Sequence, residues 1–144
     1  MTRLHAGLIA RWEAGAWRGT LIEGVSGVGK SDLMLRALTQ GWTLVADDRV
    51  VVWASGGQIY GRAPEPLAGL IEIRGLDVTP APFRSFVPIH LAVRCVTASV
   101  IERLPERESI SLLNQAIPAI ALVALEPSAP AKLAWALTHL GLRA

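Results

Sequence analysis

A chain of 144 residues has the length of one domain, and a domain of that size buries about two-thirds of its unfolded surface, enough for a real core. Hydrophobic residues make up 51%, yet they fall in short runs broken by charge, Gly and Pro, and none nears the roughly 20 residues a membrane span needs. The net charge of +2, with no basic stripe or stacking platform, argues against a nucleic-acid partner, and the single cysteine, Cys95, excludes an internal disulfide. One lone thiol in an apolar run, with no long apolar core at the start of the chain, fits a structural cysteine and a cytoplasmic protein.

Taken in order, the apolar patterning predicts a strand over 4–10, a turn at 13–16 and a second strand over 17–23. That strand runs into Gly24-Val25-Ser26-Gly27-Val28-Gly29-Lys30-Ser31, which fits G-x-x-x-x-G-K-[ST]. A helix is predicted over 32–40, with Leu33, Met34, Ala37 and Leu38 on one face and Gly41 as its C-cap. A short strand over 43–46 ends in Asp47-Asp48, and a hairpin follows, with strands over 50–54 and 58–62 about Ser55-Gly56-Gly57. The apolar stretch 67–73 leads to Glu72-Ile73-Arg74-Gly75, and the proline-broken 77–82 cannot be a central strand. A strand over 88–97, a charged connection over 102–108, a short turn or helix over 109–116, a strand over 119–125 and a helix over 129–140 complete the chain.

Strands dominate this order, with one helix after the glycine loop and one at the end. Strict βαβ alternation is missing, so the doubly wound nucleotide-binding fold is not expected. The expectation is one α/β domain over 1–144 with a mixed, largely antiparallel sheet and few helices.

Strand, glycine loop and helix together form the context of a phosphate-binding P-loop. Glycines let successive N–H groups curl inward toward phosphate oxygens, and the helix N-terminus adds free donors and partial positive charge. In that motif Lys30 reaches the β- and γ-phosphates of a nucleotide and the Ser31 hydroxyl sits on Mg²⁺. An acid after the next strand can hold Mg²⁺ or its waters, or act as base toward an incoming hydroxyl, which nominates Asp47 and Asp48. Two adjacent carboxylates in extended backbone point to opposite sides, so only one is expected to face the phosphates. Glu72 and Arg74 share a strand face, where a carboxylate could ligate Mg²⁺ and a guanidinium could hold a phosphate or a partner. His5, His90 and His139 lie in apolar patterns that ordinarily mean core or edge residues, and no His/Cys spacing suggests zinc. The five tryptophans are scattered and read as core or interface.

Four blocks together resemble a known family: His5-Ala6-Gly7, Gly24 to Ser31, Gly41 with Leu44-Val45-Ala46-Asp47-Asp48, and Leu70-Ile71-Glu72-Ile73-Arg74-Gly75-Leu76. In this order and spacing they look like the C-terminal catalytic domain of HPr kinase/phosphorylase, in a short form similar to those of alphaproteobacteria, without the family's N-terminal domain. The resemblance implies a P-loop fold related to phosphoenolpyruvate carboxykinase. It implies ATP- and Mg²⁺-dependent phosphorylation of a serine on HPr, a carrier of the sugar phosphotransferase system. By the same resemblance Asp47 is the base, Lys30 clamps the phosphates, Ser31 and Glu72 bind Mg²⁺, and His5 supports Asp47. The family is hexameric, which makes a homo-oligomer an expectation.

This sequence departs from the family at Val25, Asp32, the stretch Asp77-Val78-Thr79-Pro80 and Ala129, where the family carries arginine. Without that arginine, Arg74 or Lys132 would have to hold a second anion, and the expectation is a kinase with poor or no phosphorylase activity. Two other readings use the same P-loop: a small-molecule kinase or nucleotidase, and a nucleotide-binding regulatory module without turnover.

Overall fold

The computed structural model describes residues 1–98 and 101–141. Its first strands are β1 (Thr2–Leu4), β2 (Gly7–Glu13) and β3 (Ala16–Glu23). The predicted strand over 4–10 is therefore two, broken at His5 and Ala6. The break has a topological cause: β1 pairs with β5 (Val50–Ser55), whereas β2 pairs with β3 and with β4 (Thr43–Ala46), so the chain steps from one sheet region to another at His5. A two-residue turn with positive φ at Ala14 and Gly15 joins β2 to β3.

Helix α1 spans Lys30–Leu38 and begins two residues earlier than its apolar face implied. Its C-cap is Thr39 rather than Gly41, which follows with φ of 92° while Trp42 N–H closes onto the Ala37 carbonyl. β5 and β6 (Gln58–Arg62) form the expected hairpin, closed on Gly56-Gly57. β7 (Leu70–Ile73) and β8 (Asp77–Pro80) stand apart as a two-stranded sheet, which is how the proline-bearing stretch is accommodated.

The long β9 (Val87–Val96) is followed by β10 (Glu108–Leu112), β11 (Gln115–Val123) and α2 (Ala129–Ala136), which runs on as a π-turn over Leu137–Gly141. The turn or helix expected over 109–116 is instead a β-hairpin. Ser109-Ile110-Ser111-Leu112 alternates polar and apolar, the period of a strand, and Leu113 and Asn114 supply a turn with both φ values positive.

The main sheet runs β1-β5-β6-β9-β3-β2-β4. One edge of β9 is shared, first by β6 at Val87 and Pro88 and then by β11 over 92–96. Among the described residues only β3 with β9 and β9 with β11 are parallel strand pairs; the other pairings between strands are antiparallel. This is the mixed, largely antiparallel sheet the element order implied.

Alternation along the central strands builds two cores. Ile9, Ile22, Leu91 and Val93 pack with Leu33, Met34 and Leu133 of the helices. Leu8, Leu21 and Ala92 pack with Val50, Val52 and Ile59 on the opposite side. Gly7 lets α1 lie close to β2, because a Cβ there would collide with Met34. Helix α1 is thereby pinned on the sheet, and its N-terminus is held at the end of β3.

Candidate active site

The loop between β3 and α1 is held by backbone geometry. Val28 N–H donates to the Val25 carbonyl, and Leu33 N–H donates to that of Gly29. Gly27 has φ of 83° with open space where a Cβ would be, so conformation rather than crowding demands glycine there. Gly29 is the N-cap of α1 with φ of 100°, and a Cβ on it would lie 2.6 Å from Leu125 Cδ2. No side chain among the described residues caps the helix, which leaves its first N–H groups to a ligand.

A cleft of about 580 Å³ opens over this loop. The residues singled out in the sequence that line it are His5, Val25, Ser26, Gly27, Gly29, Lys30, Ser31, Asp47, Asp48, Glu72 and Arg74. Gly24 and Val28 lie beneath, where a Cβ on Gly24 would press on Val28 and Cys95. Lys132 does not line the cleft; its Nζ is 2.7 Å from Glu126 Oε2.

Asp47 and Asp48 do not point to opposite sides. Asp48 adopts φ of 67°, and Arg49 N–H donates to the Asp47 carbonyl at 2.8 Å, which makes a γ-turn centred on Asp48. The turn cancels the strand alternation and brings both carboxylates to the cleft. A positive φ at a non-glycine residue costs on the order of 1–3 kcal/mol and persists only where surrounding contacts impose it. Here His5 Nε2 meets Asp48 Oδ1 at 2.6 Å, and Arg49 Nη1 donates to Asp48 Oδ2 at 2.8 Å. The partner of His5 is thus Asp48, not Asp47 as the resemblance implied. The γ-turn swings Asp48 back to the break between β1 and β2, while Asp47 turns toward β7.

Asp47 Oδ2 accepts the backbone N–H of Glu72 at 2.9 Å. Burial raises the Asp47 carboxyl above its ordinary value, the Glu72 N–H opposes that, the charges of Asp48 and Glu72 add to it, and Lys30 pulls the other way. Both oxygens of Asp48 are engaged, whereas among the described residues the Glu72 carboxylate and the Ser31 hydroxyl have no side-chain hydrogen bond. Lys30 and Arg74 are likewise uncommitted. Below the loop, burial pushes the Cys95 thiol up to about 11 despite Lys30, so it stays protonated and inert near neutrality.

Sequence reasoning missed Arg36. From α1 it donates Nε to Asp32 Oδ2 at 2.8 Å, Nη1 to the Glu126 carbonyl at 3.0 Å and Nη2 to the Ala124 carbonyl. These bonds fasten the β11–α2 connection to α1 and hold Leu125 beside Gly29. The i,i+4 spacing of Asp32 and Arg36 was visible, but it signals an ordinary surface pair.

The family model described as HPr Serine kinase C-terminal domain matches residues 2–81, more than half of the chain. The chain belongs to the HPr serine kinase C-terminal domain family. All four blocks of the resemblance lie inside that match. An HPr kinase/phosphorylase of Clostridium beijerinckii is 42% identical over 77 residues, 54% of this chain and 24% of that protein. One from Limosilactobacillus reuteri is 49% identical over 61 residues, 42% of this chain and 19% of that protein. The similarity thus spans about a quarter or less of these relatives' length. The solved structure of the Hpr(Ser) kinase/phosphatase from Coxiella burnetii superimposes with a TM-score of 0.81 over 96% of this chain and 89% of that one, at 21% identity. At that identity the likeness bears on the fold, and it extends through β9, β10, β11 and α2, beyond the matched residues.

Proposed function

We propose that this chain is an ATP- and Mg²⁺-dependent protein-serine kinase acting on an HPr-like phosphocarrier. The observation that carries the reading is one cleft in which a half-buried Asp47 with a raised pKa lies beside a P-loop lysine. A module that only senses nucleotide has no use for such a base. Membership of the family supplies the expected donor and acceptor, since the relatives are named for HPr.

In this reading the N–H groups of the loop and of the α1 N-terminus take the phosphate oxygens, and Lys30 lies against the β- and γ-phosphates. Asp47 orients the incoming serine hydroxyl and accepts its proton as the serine oxygen bonds to the γ-phosphorus and the bond to ADP breaks. The Glu72 N–H keeps one Asp47 oxygen in place, which leaves the other for the hydroxyl. His5 and Arg49 hold Asp48 and, through the γ-turn, the direction of Asp47.

The donor set fits a magnesium ion. Asp32, Asp47, Asp48 and Glu72 line the cleft against Lys30 and Arg74, an acidic excess that would repel bare triphosphate. Among the described residues no three carboxylate, imidazole or thiol groups converge as a ready-made metal cage. That is the usual situation of Mg²⁺, which binds through one or two protein groups and the substrate phosphates. Ser31 and Glu72 would hold it, with Asp48 in an outer position because its oxygens are taken. When bound, the ion neutralises charge on the phosphate oxygens. Glu72→Gln is expected to raise the Mg²⁺ concentration needed for half-maximal transfer while leaving the fold intact; an unchanged Mg²⁺ dependence would remove Glu72 from the metal site.

The direct test is mass spectrometry of HPr after incubation with the chain, ATP and Mg²⁺. A gain of one phosphoryl group on a serine is expected. Transfer from labelled ATP to a metabolite panel but not to HPr would favour a small-molecule kinase, and ATP binding without product would favour a regulatory module. A cytoplasmic setting goes with the proposed partner; no helix among the described residues is long and apolar enough to cross a membrane.

The reverse reaction is expected to be poor. Holding inorganic phosphate beside phosphoserine sets two anions together, at a cost of about 4 kcal/mol at 4 Å and an effective dielectric near 20. Ala129 is fully buried and contributes packing, and Lys132 is paired with Glu126, so among the described residues that line the cleft Arg74 is the arginine left, besides Lys30, to offset that repulsion. Serine-phosphorylated HPr with excess phosphate should release little pyrophosphate. Release at the forward rate would refute this and point to Arg74 as the holder.

A further inference from the structure

A second cavity of about 490 Å³ lies at the opposite end of β3 from the P-loop. Arg18, near the start of that strand, is six residues from Gly24, or about 20 Å at the rise of a strand. The cavity is walled by the β5–β6 turn, by β9 and by the β10–β11 hairpin, with Ile59, Ile89 and Ile117 among its apolar surfaces. Its polar groups are Arg18, His90, Arg107 and Glu108, with Gln58, Ser109 and Gln115.

These groups are arranged with a defined polarity. His90 Nδ1–H donates to the Pro88 carbonyl, which leaves Nε2 to accept from Arg18 Nη1 at 3.1 Å. Burial and the Arg18 charge both lower the His90 pKa, so the ring is neutral and suited to accept. Arg18 also donates Nε to the Glu13 carbonyl. Two of its five N–H groups are thereby spent on fixing the guanidinium, and three remain. Arg107 has no ion pair or side-chain hydrogen bond among the described residues. Glu108 faces Arg94 at 3.5 Å, so its charge is partly answered elsewhere. What is left over in the cavity is positive charge above an apolar floor.

We infer that this cavity binds a small organic anion, a phosphate or carboxylate head on a compact apolar body, with Arg18 and Arg107 on the head and the isoleucines under the body. A pocket of this size takes a small ligand, and a pre-fixed arginine fork is the group that recognises such heads. The proposal stands apart from the kinase reading, because none of these residues touches the P-loop cleft.

Amide chemical-shift mapping on the full chain tests it. Phenyl phosphate and benzoate serve as the two probes, and benzyl alcohol as the uncharged control. Saturable shifts are expected at Gln58, Ser109 and Gln115 with at least one anion, and the stronger of the two identifies the preferred head. Arg18→Gln and Arg107→Gln should each weaken that binding about tenfold or more. They should leave any titration of the P-loop amides Gly27 and Gly29 unchanged. Arg107 is exposed on a connection, so its variant tests the site even if Arg18→Gln disturbs the β2–β3 hairpin. Shifts confined to Gly27 and Gly29, no saturable shift at the cavity, equal binding of benzyl alcohol, or full affinity in Arg107→Gln would each overturn the proposal.

Discussion

Asp47→Asn should lower phosphoryl transfer about 10²–10⁴-fold, the usual loss of a general base, with ATP binding nearly unchanged. Asn keeps an oxygen for the Glu72 N–H, so the β4–β7 contact survives while the proton acceptor is lost. The pH dependence provides a second readout. Burial raises the Asp47 pKa, so the acid limb of the wild-type rate should lie above the ordinary aspartate value of 3.8. For stability the sign is opposite to that of a salt-bridged aspartate. Between 3.8 and the raised native value the folded chain binds more proton than the unfolded chain, so stability falls as pH rises through that window. Above it wild type carries an unfavourably buried charge that Asn lacks. The variant should therefore melt slightly higher than wild type at neutral pH while transferring phosphate far more slowly. A lower melting temperature together with lost ATP binding would mean that Asp47 serves the fold rather than the chemistry.

The P-loop and its supports were legible because their signals are local. Glycine spacing, an apolar strand before and an amphipathic helix after all lie within about twenty residues. The β5–β6 hairpin was legible for the same reason, its Ser55-Gly56-Gly57 turn lying between the apolar run 50–54 and the run 58–62. What escaped notice depended on which segments pair. Residues 4–10 are apolar apart from His5, and only the separate partners of β1 and β2 reveal that the chain steps between sheet regions there. The rule that neighbouring carboxylates diverge was sound for extended backbone, yet Asp48 leaves that backbone for a γ-turn held by His5, 43 residues away, and by Arg49.

The hairpin at 109–116 was missed although Ser109 to Leu112 alternates, because its hydrophobics are few and Leu113-Asn114 is an unusual turn sequence. Arg18 and His90 could not be linked from sequence at all, since 72 residues separate them and the parallel register of β3 on β9 makes the contact. Arg36 shows the converse. Its sequence neighbour Asp32 offered a complete local explanation, which concealed its two bonds to carbonyls 88 and 90 residues further on.

Lys30→Ala should reduce transfer by about 10²–10³-fold or more, the scale of removing one donor aimed at transition-state charge. Nucleotide affinity should fall about tenfold or more, as expected for a lost charge-assisted bond. The fold should survive, because Lys30 belongs to neither core cluster and alanine is the better helix former at the start of α1. The lysine also acts on its surroundings without nucleotide. It favours the Asp47 carboxylate and lowers the Cys95 thiol pKa, so its removal should move both groups to higher pKa. The residual rate of the variant should therefore show an acid limb displaced upward relative to wild type, and Cys95 should react still more slowly with a thiol reagent. These shifts separate an electrostatic role from a packing role, since Lys30→Met keeps much of the stem but should show the same displacement. A Lys30→Ala variant with wild-type transfer and an unmoved pH profile would remove Lys30 from both the phosphate cradle and the tuning of the base.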